Sequence, residues 1–164
     1  MYLLKSFYKI ITNTKVNATY NILGYAGVFP LLLLLILIWI LDKRYHPFII
    51  NSIFSYITVI LTFIGAVYWG FAFFLNNKQK AKLCYLFSVL PGILASLTFI
   101  FVSNFFLKTI LFIIYFLSIY QIEKKFSKSI KIPINYLRLR FKLTFLLTVL
   151  LICLIFTLLF YFFN

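Results

Sequence analysis

Between Thr58 and Ser96 the chain reads TVILTFIGAVYWGFAFFLNNKQKAKLCYLFSVLPGILAS. Two apolar runs flank a short basic turn, Asn76-Asn77-Lys78-Gln79-Lys80-Ala81-Lys82, and each run is long enough to cross the roughly 30 Å hydrocarbon layer of a bilayer as a helix. Small or hydroxyl residues recur at every fourth position: Thr58, Thr62, Ala66 and Gly70 on the first run, Ser88, Gly92 and Ser96 on the second. In lipid the hydrophobic effect does not drive helices together. Association rests on close backbone approach and polar contacts, which such rows supply. The stretch therefore predicts an antiparallel helical hairpin at the packing centre of an all-α integral membrane bundle.

The rest of the composition agrees with that solvent. Of 164 residues 65% are hydrophobic and 11% charged, whereas a soluble domain is about half apolar and about a quarter charged. Sixteen Lys and Arg against two acids, Asp42 and Glu123, give a net charge of +14. A basic excess can signal nucleic acid, but here the cations fall between apolar runs, as in the positive-inside pattern of membrane proteins. No nucleic-acid partner is expected; the lipid bilayer is.

Hydropathy divides the chain into an N-terminal segment, 1–21, and one five-span membrane domain, 22–164, with spans at about 22–41, 48–75, 83–102, 105–121 and 143–163. Leu3, Leu4, Phe7, Ile10 and Ile11 recur at helical spacing with Lys5 and Lys9 on another face, which predicts a cytoplasmic, interfacial helix. The apolar run that follows is too long for a signal peptide and lacks a small-residue cleavage site, so it is expected to be retained. Gly24, Gly27 and Pro30 should loosen or kink the first span and Pro91 the third. Lys108, near the end of the fourth span, should snorkel outward. Residues 122–142 read as the longest polar connection.

With the N-terminus inside, thirteen basic residues fall on the cytoplasmic side and three (Lys43, Arg44 and Lys108) outside. That asymmetry predicts a cytoplasmic N-terminus and an external C-terminus. Among the inner cations Lys124, Lys125, Lys128, Lys131, Arg138, Arg140 and Lys142 are expected to contact anionic lipid.

Four patches together resemble the DUF3429 family, also called the transmembrane protein 69 family. They are Leu23-Gly24-Tyr25-Ala26-Gly27 with Pro30; Thr62-Phe63-Ile64-Gly65-Ala66-Val67-Tyr68-Trp69-Gly70; Ser88-Val89-Leu90-Pro91-Gly92-Ile93-Leu94-Ala95; and Tyr136-Leu137-Arg138-Leu139-Arg140 through Thr144. The resemblance implies a small multi-span protein of a bacterial inner membrane or, alternatively, a mitochondrial inner membrane. It implies no activity, cofactor or catalytic residue. Relatives often carry a histidine where this chain has Tyr68, a departure that puts in doubt here any proton-transfer role imagined for that histidine.

The spans so drawn hold no ionisable residue at depth, whereas pumps and many transporters keep such groups for function. His46 beside Asp42 lies in a short loop, and Cys84 and Cys153 are far apart in apolar runs; neither pair forms a catalytic or metal-binding set. No nucleophile and base, P-loop or cofactor motif is present. The chain is therefore expected to be a non-enzymatic membrane protein that packs with, or helps assemble, another membrane protein or itself. The alternative is a small carrier or lipid-handling protein with a cavity near Tyr25, Pro30, Tyr68, Trp69 and Pro91. The candidate packing or cavity residues are Gly24, Gly27, Pro30, Thr62, Gly65, Ala66, Tyr68, Trp69, Gly70, Ser88, Pro91, Gly92 and Ser96.

Overall fold

A computed structural model describes residues 14–130 and 132–163 of the chain. The described residues form helices α1 (Thr14–Ala26), α2 (Phe29–Ile40), α3 (His46–Phe73), α4 (Lys78–Phe101), α5 (Phe105–Ile130) and α6 (Ile134–Phe163), with a 3-10 turn at Lys43–Tyr45 before α3. With α1 and the adjoining α2 taken as one unit, they provide five helices long and apolar enough to cross a membrane. The interfacial helix expected at the N-terminus lies mostly outside the described residues, as does Lys131.

Local chemistry sets the boundaries. Asn77 caps α4 by accepting from the backbone N–H groups of Gln79 at 3.0 Å and Lys80 at 3.2 Å, and Asn104 caps α5 by accepting from Leu107 N–H at 3.1 Å. Each side chain satisfies donors that the first helical turn leaves without partners. Pro47 sits in the first turn of α3, where its missing N–H costs nothing. The break between α1 and α2 falls at Gly27 and Val28, with Pro30 in the first turn of α2. The Gly27 carbonyl freed by the break accepts from Tyr56 Oη on α3 at 2.7 Å.

The stretch read as a polar connection, 122–142, is mostly helix. α5 runs on to Ile130 and α6 begins at Ile134. Gln, Glu, Lys, Leu and Arg are strong helix formers, so polarity alone did not end either helix. Pro133 does: it cannot extend α5, yet its carbonyl accepts from Leu137 N–H at 3.3 Å at the start of α6.

α3 is the hub. Its stripe of Ile50, Ile53, Phe54, Ile57 and Leu61 is almost wholly buried among Leu31, Leu35 and Ile38 of α2, Ala95 of α4, Phe112 and Phe116 of α5, and Leu147, Leu151 and Leu154 of α6. The α3–α4 hairpin has the most extensive contact of any helix pair. The two backbones approach closely at Gly65, where an added Cβ would collide with the Ser88 carbonyl oxygen. At Gly92 the Cβ position lies 3.1 Å from Thr62 Oγ1.

The four-residue ladder is therefore only partly the interface. Thr62 meets Gly92, but Ala66 and Gly70 are exposed, with nothing within 4 Å of a Cβ built at Gly70. The buried row is Leu61, Gly65, Tyr68 and Ala72, one position out of phase. Thr58 and Thr62 hydroxyls donate to carbonyls one turn back, Phe54 and Thr58, each at 2.9 Å. They satisfy themselves within α3 rather than bridging to α4.

Lys108 also departs from expectation. It turns inward and is 5% exposed. Its Nζ donates to the Phe99 carbonyl at 3.2 Å and stands over the rings of Phe54, Phe99 and Phe105, 5.1–5.9 Å from their centroids. Phe99 lies in the last turn of α4, where carbonyls lack intrahelical partners and the helix dipole is negative. The aromatic faces supply further attraction for the cation.

Candidate functional site

A buried polar cluster lies where α3, α5 and α6 meet, toward the end of the bundle that carries the Lys78–Lys82 turn. Arg140 Nε donates to both carboxylate oxygens of Glu123, at 2.9 Å to Oε2 and 3.2 Å to Oε1. The Glu123 side chain is wholly buried and that of Arg140 is 6% exposed. Tyr68, 1% exposed, directs its hydroxyl toward Glu123 without completing a well-formed hydrogen bond. Tyr136 stands within electrostatic reach of both members of the pair.

Helical phase puts these groups together. On α5, Phe112, Phe116, Ile119 and Glu123 are successive buried positions; on α6, Arg140, Thr144, Leu147, Leu151 and Leu154 are. Among the described residues of α5 and α6, Glu123 and Arg140 are the buried positions nearest the Pro133 connection. Around them an aromatic shell closes. Tyr68 meets Phe87 edge-on at 4.8 Å and Phe71 at 5.9 Å, Phe71 meets Tyr136 at 5.9 Å, and Phe87 stacks on Phe126 at 6.2 Å. Ala72, Cys84 and Ile132 complete the enclosure.

Arg140 Nη2, Tyr68 Oη and Thr144 Oγ1 are buried without a hydrogen-bond partner. Thr144 lies one helical turn from Arg140 on the same buried face. A guanidinium is always charged, and a buried charge is tolerated only when paired, so the first role of Glu123 is to neutralise Arg140. The spare donors on Arg140 and Tyr68 give the cluster capacity for one small acceptor such as a bridging water.

The residues singled out in the sequence are not gathered into one site. Tyr68 joins the cluster, whereas Trp69, 50% exposed, faces outward with its ring edge against Tyr85 at 6.0 Å. Pro91 is buried beside Gly65 in the α3–α4 contact, and Ser88 donates to the Tyr85 carbonyl at 2.6 Å. Gly24 packs under Leu139 and Leu143 of α6, Gly27 is exposed, and Pro30 and Ser96 are half-buried. Two open cavities, of about 310 and 480 Å³, lie elsewhere, and neither is lined by Tyr68, Trp69 or Pro91. His46 is buried with Nε2 3.1 Å from the Leu41 carbonyl, and Cys84 and Cys153 are both free.

Of the expected lipid-contacting cations, Lys124, Lys125, Arg138 and Lys142 are exposed. Arg140 is not: its charge is spent on Glu123 inside the bundle. The Lys128 side chain and Lys131 are outside the described residues. Sequence reasoning missed the Glu123–Arg140 pair because both residues fell within a supposed loop; the unbroken phase of the buried stripes on either side was the signal that could have found it.

The family model for DUF3429, a protein family of unknown function, matches residues 16–159. The chain belongs to the DUF3429 family. The matched region of this DUF3429 chain takes in all five candidate spans except the last residue of the fifth, together with the whole Tyr68–Glu123–Arg140 cluster. No curated protein and no solved structure matches it.

Proposed function

We propose that this DUF3429 chain is a non-enzymatic, multi-pass protein of a bacterial inner membrane, its N-terminus cytoplasmic and its C-terminus outside, that packs with or helps assemble another membrane component. A mitochondrial inner membrane is the alternative setting. The observation that carries the reading is the closure of the buried Glu123–Arg140 cluster. Its carboxylate neutralises its guanidinium between two helices, and neither described cavity opens onto it. Groups that in a pump or carrier would meet cargo here hold the bundle together.

Orientation rests on the cations. Lys78, Lys80, Lys82, Lys124, Lys125, Arg138 and Lys142 gather at one end, and Lys43 and Arg44 at the other, an imbalance that favours the first end as cytoplasmic. The carrier reading draws less support, since Tyr25 and Trp69 face outward while Tyr68 and Pro91 are packed inside.

A photo-crosslinking residue in place of Trp69 is expected to capture a protein neighbour in native membranes. The chain should also migrate in mild detergent as an assembly larger than its 19.4 kDa. A monodisperse monomer with no crosslinked neighbour would refute the assembly role.

A further inference from the structure

The second cavity, of about 480 Å³, is a groove between α5 and α6 on the side of that helix pair away from the core. Lys124 on α5 and Arg138 and Lys142 on α6 line it, with Tyr120, Leu137 and Phe141 forming an apolar wall. The Tyr120 and Phe141 rings lie 5.6 Å apart across the helix contact and floor the groove. Arg138 and Lys142 are four residues apart, so their Cβ atoms are neighbours at about 5–6 Å on one helix face. Lys124 approaches from the facing helix.

The groove carries no acidic residue. Glu123 is the next residue to Lys124, but helical phase turns it to the opposite side, where Arg140 consumes its charge. The three cations are therefore uncompensated. Deeper along the same two helices large apolar side chains stay exposed, among them Leu117 and Phe145, with Ser118 the small polar residue beside them. A cationic mouth over an apolar channel matches a molecule with an anionic head and a hydrocarbon tail. An anionic peptide or nucleic acid would leave the apolar half unoccupied.

We propose that this groove is a binding site for an anionic phospholipid, its phosphate held by Lys124, Arg138 and Lys142 and one acyl chain lying along Tyr120, Phe141, Leu117 and Phe145. The site deepens the membrane placement given above and does not depend on the assembly role. Arg presents a fork of donors that matches phosphate oxygens, and Lys supplies mobile point charges. Lys142, the deepest of the three, has a stem long enough to bring its ammonium up toward the headgroup.

The test uses the full chain purified in mild detergent and titrated with phosphatidylglycerol, bound lipid being read by native mass spectrometry. One tightly retained lipid per chain is expected. The triple variant Lys124→Gln, Arg138→Gln, Lys142→Gln should lose it by at least about tenfold, since each cation near a membrane surface contributes on the order of fivefold in binding. Lys78→Gln, Lys80→Gln, Lys82→Gln removes the same charge at the same end and should change retention by less than about twofold. The groove cations are exposed, so helicity and thermal midpoint should be unchanged in both variants, and Arg138→Gln alone should give an intermediate loss.

Equal losses in the two triple variants would mean general charge attraction and overturn the site. Equal retention of phosphatidylcholine would make the groove merely apolar, and displacement of lipid by millimolar inorganic phosphate would make it a site for free phosphate. Extraction of the chain from membranes without detergent would instead refute the membrane placement itself, and a monomer that still retains lipid would refute only the assembly role.

Discussion

Glu123 and Arg140 are more freely replaced together than singly. Removing one partner leaves the other charged or polar in a low-dielectric interior, a change that costs about 3–5 kcal/mol, whereas replacing both by apolar side chains of similar volume is often neutral or stabilising. Arg140→Met is therefore expected to lower the thermal midpoint of the purified chain sharply. Glu123→Leu with Arg140→Met should recover most of the loss, as read by a double-mutant cycle in detergent. Recovery would identify the pair as a structural fastening; a double variant no better than either single one would point to a role for the charges themselves. Lys108 poses a related case at the other end of the bundle. It is held by one carbonyl and three ring faces, contacts that a reading of depth along the helix could not reveal. Position 108 gave its distance from the helix end, but the direction of the side chain depended on α4 ending alongside it.

Among the elements, the α3–α4 hairpin was the most legible and still misread in detail. Run length and the basic turn placed both helices, and Thr62, Ser88 and Gly92 do lie at the contact, but the buried row of α3 runs through Leu61, Gly65, Tyr68 and Ala72 rather than Ala66 and Gly70. A period of four is shared by neighbouring rows on the same helix, so spacing alone cannot choose between them. What decides is where the backbones come close enough to exclude a Cβ, at Gly65 against the Ser88 carbonyl. Gly65→Ala is expected to destabilise the hairpin by about 1–3 kcal/mol, the usual cost of forcing extra volume into a packed contact. Gly70→Ala, with open space around its Cβ, should be neutral or slightly stabilising through helix propensity. Thermal melts of the two variants side by side measure the difference. The α1–α2 break offers a second measurement. Tyr56→Phe removes the hydrogen bond to the Gly27 carbonyl and should cost about 1 kcal/mol.

At the scale of the molecule, the all-helical class, the five long apolar helices and the family were legible because lipid solubility writes itself into composition and run length. The buried ion pair was not, because hydropathy averages over faces and cannot tell a charge turned inward from one in water. The extent of α5 and α6 was missed for the same reason. On the proposed orientation, a reporter active only in the cytoplasm should be silent at the C-terminus and active in the Lys78–Lys82 turn. Replacing Lys78, Lys80, Lys82, Lys124, Lys125, Arg138 and Lys142 by Gln should blur that distinction, since it removes the charge bias that sets the orientation. The pair also imposes an order of events during synthesis. Glu123 is made 17 residues before Arg140, an interval of about 1–3 s at ordinary rates of translation. Until α6 arrives, α5 carries a carboxylate with no counter-ion. α5 and α6 thus have reason to enter the bilayer as one unit, and a chain stopped just after Ile130 should leave α5 poorly inserted and open to proteolysis.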